Sequence, residues 1–250
     1  MIGAREVRVE RLAPAELDSA LADSSVVYLP LGSLEFHGPH LPIGLDALNA
    51  HGVCVAAAER SGGIVLPALY QGVGGGHTEY PWTIMMPSAD SIRTIIRDTL
   101  RRLEQFGVKR AVLFTGHFAD EQLALVDELA AKWNDTGTPS ELRHRMLVLG
   151  TGVNRCASAS LAPDHAGTFE TMLLHSLSPE LVHLDRLPDR AEHPAIDPGG
   201  NSMGVQRHDP MHPLWGVFGP DPRGADLSAS SGMRDSLADW LGAAAHSLTA

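Results

Sequence analysis

Cysteine is nearly absent from this 250-residue chain: only Cys54 and Cys156 occur, far apart and outside any C-x-x-C spacing. That excludes a disulfide framework and a thiolate zinc site. Aromatic residues make up 5% of the chain, too few for a platform that stacks nucleic-acid bases. Positive charge is also scarce. Lys and Arg number 19 against 30 acids, giving a formal net charge of −11, and no run of Lys or Arg breaks that balance. Phosphate backbones and anionic membranes need clustered positive charge, so neither nucleic acid nor a membrane is expected as a partner. No stretch approaches the length of apolar sequence that crosses a bilayer. The opening "MIGAREVRVERLAPAEL" is charged from its fifth residue and lacks the apolar centre of a leader, so a reducing cytoplasm is the expected location. HExxH is missing, which disfavours a zincin; a serine-hydrolase elbow is not expected, and the glycines fit neither phosphate-binding pattern.

What stands out instead is histidine, 13 in 250 residues. That number fits metal or acid–base chemistry better than structural need. The remaining composition, 44% hydrophobic and 20% charged, is ordinary for a chain with a sizeable core.

Strand and helix patterns alternate. "SVVYLPLGS" (25–33) is a short apolar run closed by Pro-Leu-Gly, the pattern of a buried parallel strand. "DALNAHGVCVAAAERSGG" predicts a helix that Asp46 opens and two glycines close. "GIVLPALYQGVGGG" (63–76) reads as a second strand entering a glycine-rich loop. Ile92, Ile96, Leu100 and Leu103 recur at helical spacing between Ser88, a candidate cap, and Gly107, a stop. "KRAVLFTGH" (109–117) is the clearest strand, followed by the helix "DEQLALVDELAAKWND". "HRMLVLGTG" (144–152), "GTFETMLLHSL" and "MRDSLADWLGAAAHSL" add one strand and two helices. The alternation predicts one α/β domain over 1–250, a three-layer α/β/α arrangement with a mainly parallel sheet.

Open parallel sheets place their sites at the carboxyl ends of the strands. Glu35 and His37 follow the first strand, His77 and Glu79 the second, and His117 the third. Asp164, His165 and Glu170 follow the fourth, so these residues are expected to meet at one edge. Glu35-x-His37 points two ligand-type side chains to one side. Asp46 alone reads as a helix N-cap, but beside imidazoles and a carboxylate it can bridge two ions with its two oxygens. His117 follows Gly116, which permits close backbone approach. Glu170 sits in a first helical turn, where the helix dipole favours an acid, or faces a site. The loop with His77 and Glu79 is either substrate-facing or a plain turn.

Together these stretches resemble the creatininase (creatinine amidohydrolase) family. "PLGSLEFHGPHLPIGLDAL" is similar to its G-S-x-E-x-H-G-P-H-L-P-x-x-x-D. "TGHFAD" stands where the family has N-G-H-G-G-N, "DHAGTFETM" resembles H-A-G-x-x-E-T-S, and "GVFGPDPRGA" resembles a late G-V-x-G-x-P-x-x-A. The resemblance implies a small-molecule amidohydrolase with a divalent centre of one or two ions (Zn, Mn or Fe), in a homo-oligomer, often a hexamer. By carry-over Glu35, Asp46 and His117 would hold one ion, and His37 and Asp46 the other. His165 would be the catalytic histidine that passes a proton to the leaving nitrogen, with Asp164 in the place of a family glutamate. Two positions depart. Ala119 stands where creatininase has a metal-binding glutamate, and Thr168 where many relatives have one, which makes Glu170 the first candidate for the missing ligand, ahead of Asp120 and Glu121. The absence of tryptophan between Leu147 and Asp164 argues against creatinine itself. A single-metal lactone hydrolase, a non-hydrolytic enzyme or a lapsed binding subunit are the alternatives on this scaffold.

Overall fold

In the computed structural model, which describes residues 5–76, 79–135, 145–157, 161–195 and 205–248, strand β1 (Val26–Leu31) is buried at every position. A strand covered on both faces must be apolar throughout, as its sequence is. It pairs in parallel with β2 (Ile64–Val65) on one side and β3 (Arg110–Thr115) on the other, and β4 (Leu147–Gly152) pairs with β3, giving the order β2-β1-β3-β4. All pairs are parallel, as expected. β2 is much shorter than its sequence pattern, because Pro67 follows its apolar start and withholds a donor.

Alternate strand residues feed two cores. Val26 and Tyr28 of β1 with Val112 and Phe114 of β3 face helices α2 (Leu45–Ser61), α5 (Thr168–Leu177) and α7 (Ser230–His246). Val27, Leu29, Leu31, Ala111 and Leu113 face α1 (Pro14–Asp23), α3 (Asp90–Gln105) and α4 (Asp120–Asp135). This is the three-layer α/β/α arrangement. α3 buries Ile92, Ile96, Leu100 and Leu103, the row the periodicity picks out. A short turn of helix, α6 (Val205–His208), packs near the end of the chain. The sequence reading has no counterpart of α1, which starts with Pro14 and buries only Ala20; Glu16 accepts the Ala13 N–H at 2.7 Å and fixes its start. Among the described residues no helix is long and apolar enough to cross a membrane.

Two glycines set the position of α2 over the strand ends. A Cβ on Gly32, just past β1, would lie 2.2 Å from Ala47 N, and one on Gly116, just past β3, 2.0 Å from the Asp46 carbonyl oxygen. Only residues without a side chain let the first turn of α2 settle there. α2 begins at Leu45 with Gly44 before it, so Asp46 is not the N-cap; its side chain is buried and turned to the sheet edge.

Candidate metal centre

The carboxyl ends of β1 and β3 and the first turns of α2 and α5 converge on one buried cluster. Past β1, Glu35 and His37 both reach the cluster, while Phe36 packs on Tyr80 and Trp215. The Glu35 N–H donates to the Ile43 carbonyl at 2.9 Å, tying this loop to the approach to α2. Glu35, His37, Asp46, His117 and Glu170 are each no more than 5% exposed.

Asp46 sits at the centre. Its Oδ2 lies 3.2 Å from His117 Nδ1, and its Oδ1 lies 3.2 Å from His37 Nε2. Glu35 Oε2 approaches His117 Nδ1 at 3.1 Å, and Glu170 Oε2 approaches His37 Nε2 at 3.5 Å. One ligand atom each from Glu35, Asp46 and His117 lies within 4.8 Å of the others, and the same holds for His37, Asp46 and Glu170. The two triads share Asp46, one oxygen turned to each. Ser33, unremarked in the sequence, donates its hydroxyl to Asp46 Oδ2 at 2.5 Å and orients the shared carboxylate.

The histidines are set for cation binding. His37 Nδ1 is 3.0 Å from the Glu35 carbonyl oxygen, which only accepts, so Nδ1 keeps its proton and Nε2 is the atom turned to the acids, able to present a lone pair once a cation displaces its proton. His37 Nε2 is buried beside the Asp46 and Glu170 carboxylates without a well-formed hydrogen bond to either. Such an atom among carboxylates is what a divalent ion satisfies, and an N/O donor set of this kind suits zinc, manganese or iron.

Electrostatics agree. Burial alone would lower the His37 imidazole, but Asp46 and Glu170 outweigh it and hold it at about 10. His117 reaches about 10 by the same balance, with Asp46 and Glu35 overcoming burial. Asp46 is held well below the usual carboxylate range because His37 and His117 outweigh its burial. Burial pushes Glu170 well above that range, with His37 opposing. Positive charge is therefore what the cluster needs.

His165 stands beside the cluster. Its backbone pairs both ways with Phe218, and its Nδ1 lies 2.8 Å from the Gly216 carbonyl oxygen, so Nδ1 donates and Nε2 faces Glu35 Oε1 at 3.4 Å. Its ring stacks between His37 at 4.4 Å and Phe218 at 4.5 Å. Ala166, next in the chain, has φ +54, a left-handed conformation rare for a residue with a side chain. Asp164 belongs to neither triad. Its two oxygens accept the N–H groups of Phe169 at 2.8 Å and Glu170 at 3.2 Å, capping α5 and fixing the helix that carries Glu170. Burial raises its carboxyl to about 7, against those two donors.

A cavity of about 580 Å³ opens onto the cluster and is also lined by Phe118, Ala119, Asp120, Glu121, Arg207 and Phe218. Asp120 and Glu121 thus border it without joining either triad, and Glu121 accepts the Gly75 N–H at 3.3 Å. Glu170 is the acid brought to His37. Glu79 is exposed and lines a separate pocket, so it does not join the edge cluster, and His77 lies outside the described residues. His40 is fully buried with Nε2 at 3.3 Å from Thr171 Oγ1, a support for the loop against α5. Gly200-Asn201-Ser202-Met203-Gly204 does carry the bare G-x-S-x-G spacing, correcting the expectation that the chain has none; it follows proline and glycine instead of an apolar strand and lies outside the described residues. Phe218 and the Gly216 carbonyl sit in the late "GVFGPDPRGA" stretch, which signalled a site without assigning them a part. Arg207 had no signal.

A family model described as "Creatininase: Creatinine amidohydrolase" matches residues 10–245. The creatinine amidohydrolase of Pseudomonas putida is 30% identical over 184 residues, covering 67% of this chain and 70% of its own length. A mycofactocin precursor peptide peptidase of Mycobacterium ulcerans (strain Agy99) is 30% identical over 172 residues, 64% of this chain and 62% of its own. A crystal structure of creatinine amidohydrolase (creatininase) superimposes with a TM-score of 0.71 at 25% identity, covering 96% of each chain. Two more creatininase structures, one described as Zn-Zn type and one as Mn, share the fold at 24% and 23% identity with TM-scores of 0.71 and 0.72. Each covers 96% of this chain and 97% of its own.

Proposed function

The chain belongs to the creatininase family, and from that premise we propose that it is a metal-dependent amidohydrolase cleaving a C–N amide bond of a small polar molecule. One observation carries the reading: Asp46 turns one oxygen to each of two buried imidazoles, each backed by a further acid. In the proposal Glu35, Asp46 and His117 hold one cation, and His37, Asp46 and Glu170 a second. Bound there, divalent ions supply the Lewis-acid activation of water and of a carbonyl oxygen that amide hydrolysis requires.

The chain's own groups do the rest. The Glu35 carbonyl and Ser33 hydroxyl fix His37 and Asp46 in their working orientations. His165 donates from Nδ1 to Gly216, leaving Nε2 to take up a proton beside Glu35 and deliver it to the departing nitrogen. Stacking between His37 and Phe218 restrains that ring to one plane. Asp164 acts at one remove, by holding the first turn of α5 and so the place of Glu170.

One observation favours a second reading, a single-metal enzyme, for which lactone opening is the alternative reaction. Burial favours the protonated form of Glu170, and a protonated Glu170 would leave Glu35–Asp46–His117 and Glu35–His37–His165, two groups that share Glu35, to hold a cation. The two readings are tested by loading the protein with zinc or manganese. It is then offered cyclic amides, formamides, N-acyl amino acids, dipeptides and lactones. Amine release that disappears with chelator and in His117→Ala supports the amidohydrolase. Turnover confined to lactones, with one ion per chain, supports the second reading, and no turnover by metal-loaded protein contradicts both.

A further inference from the structure

Several arginines of the fold are held by acids: Arg8 by Glu6 at 2.6 Å, Arg60 by Asp239 at 2.6 Å, Arg155 by Asp127 at 2.6 Å and Arg223 by Asp221 at 2.9 Å. Others, such as Arg110 on the Leu248 carbonyl, bond elsewhere, and Arg207 on α6 differs from both groups in its place. It lines the cavity of the metal centre, and among the described residues no carboxylate pairs with it. Its guanidinium carbon lies 4.8 Å over the Phe218 ring, and Nη2 makes only a long 3.4 Å contact to the Gly75 carbonyl. The residue is nonetheless held in place, because its own carbonyl accepts the Tyr80 hydroxyl at 2.7 Å. Stacking on one face restrains the plane of a guanidinium and leaves its edge N–H groups to recognise a planar anion.

The same ring stack connects Arg207 to the chemistry. Phe218 lies parallel to His165, 4.5 Å between centroids and 8° between planes. We propose that Arg207 receives a carboxylate of the substrate, which makes the substrate class a small amide with a free carboxylate, of the N-acyl amino acid kind. The proposal rests on the amidohydrolase reading and names what that site takes. Distance supports it: steps of 4.5 and 4.8 Å separate the His165 ring from the guanidinium carbon at most end to end. Hydrogen bonds occupy about 3 Å at each end. At most about 3 Å remains, which admits the span of about 2.5 Å from the nitrogen to the carboxyl carbon of one amino acid. Charge supports it too. Asp120, Glu121 and Asp164 line the same cavity without joining either triad, so an anionic group outside the metal centre has Arg207 as its receiver.

The test compares N-acetyl amino acids with their uncharged carboxamides on the metal-loaded protein, by equilibrium binding and by kcat/KM. For the preferred side chain the acid is expected to exceed its carboxamide roughly 10- to 100-fold, the range of a charge-assisted hydrogen bond. Arg207→Gln and Arg207→Met, the second keeping the packing on Phe218, should each bring that ratio to within about threefold of one by raising KM for the acid alone. Arg207→Lys should retain part of it. A panel in which no acid exceeds its carboxamide overturns the proposal. So does a preference that survives both neutral variants, since the carboxylate would then be bound by the metal ions. If no pair is hydrolysed, the amidohydrolase reading fails, while the binding ratios in wild type and variants still decide the role of Arg207.

Discussion

Replacing Glu170 by glutamine separates its proposed part in metal binding from its part in the fold. The side chain is 2% exposed, accepts the Ala166 N–H at 2.6 Å and approaches His37 Nε2 at 3.5 Å. Glutamine has the same shape and keeps an oxygen for Ala166, and it mimics the neutral carboxyl that burial favours. The metal-free fold should therefore keep its stability within about 1 kcal/mol, because no cavity is created and the Ala166 hydrogen bond is kept. The cation between His37 and Asp46 loses a charged ligand. Removing even an outer partner of a metal ligand costs 10- to 100-fold in affinity, so loss of a ligand itself should cost at least about 100-fold, or about 2.7 kcal/mol. At micromolar zinc, the ion content after dialysis should fall from two per chain to one, while an Asp120→Asn control keeps two. Elemental analysis beside thermal melts in chelator reads both quantities. A variant that still binds two ions, or whose metal-free melt collapses, would refute the reasoning.

Other outcomes follow from the same geometry. His37 and His117 at about 10 lie above the ordinary histidine value of 6.5, so without cations their charged forms stabilise the fold below pH 6.5 and that contribution is lost as pH rises through about 10. Cations must displace those protons, so affinity at each site should rise about tenfold per pH unit between 6 and 8; calorimetry in buffers of different ionisation heat should show proton release, and loading without it contradicts the arrangement. Asp164→Ala removes the acceptor of two helix-end N–H groups and should cost about 1–2 kcal/mol, a Tm drop of roughly 2–8 °C; an unchanged melt would remove the cap from the account. Gly116→Ala would drive a Cβ to 2.0 Å from the Asp46 carbonyl and should prevent soluble folding, whereas Gly232→Ala on α7, with nothing within 4 Å, should leave the Tm level or higher; equal behaviour of the two would refute the close approach of α2.

The strands were legible because parallel strands covered on both faces must be apolar at every position, as "VVYLPL" and "AVLF" are. The edge cluster was legible for the same reason: polar residues that end such strands, Glu35, His37 and His117, have one place to go. α1 was not, because a helix that buries only Ala20 leaves little periodicity to read. Asp46 was legible as a bridging ligand, but not as lying one residue inside α2, because its side chain answers to Ser33, His37 and His117. Glu170 ranks ahead of Asp120 and Glu121 from its place in the resemblance to H-A-G-x-x-E-T-S, and how α5 lands against the loop after β1 brings it to His37. Arg207 lies in a polar stretch without motif or period, and only the packing of Phe218 on His165 gives it meaning.

The central claim is that the buried acids and imidazoles around Asp46 hold divalent metal. Elemental analysis of protein purified without chelator, with His117→Ala in parallel, tests it most directly. The account predicts one to two zinc, manganese or iron ions per wild-type chain and a clear loss in the variant. Fewer than about one ion in ten chains, with no uptake from added zinc or manganese, would contradict it.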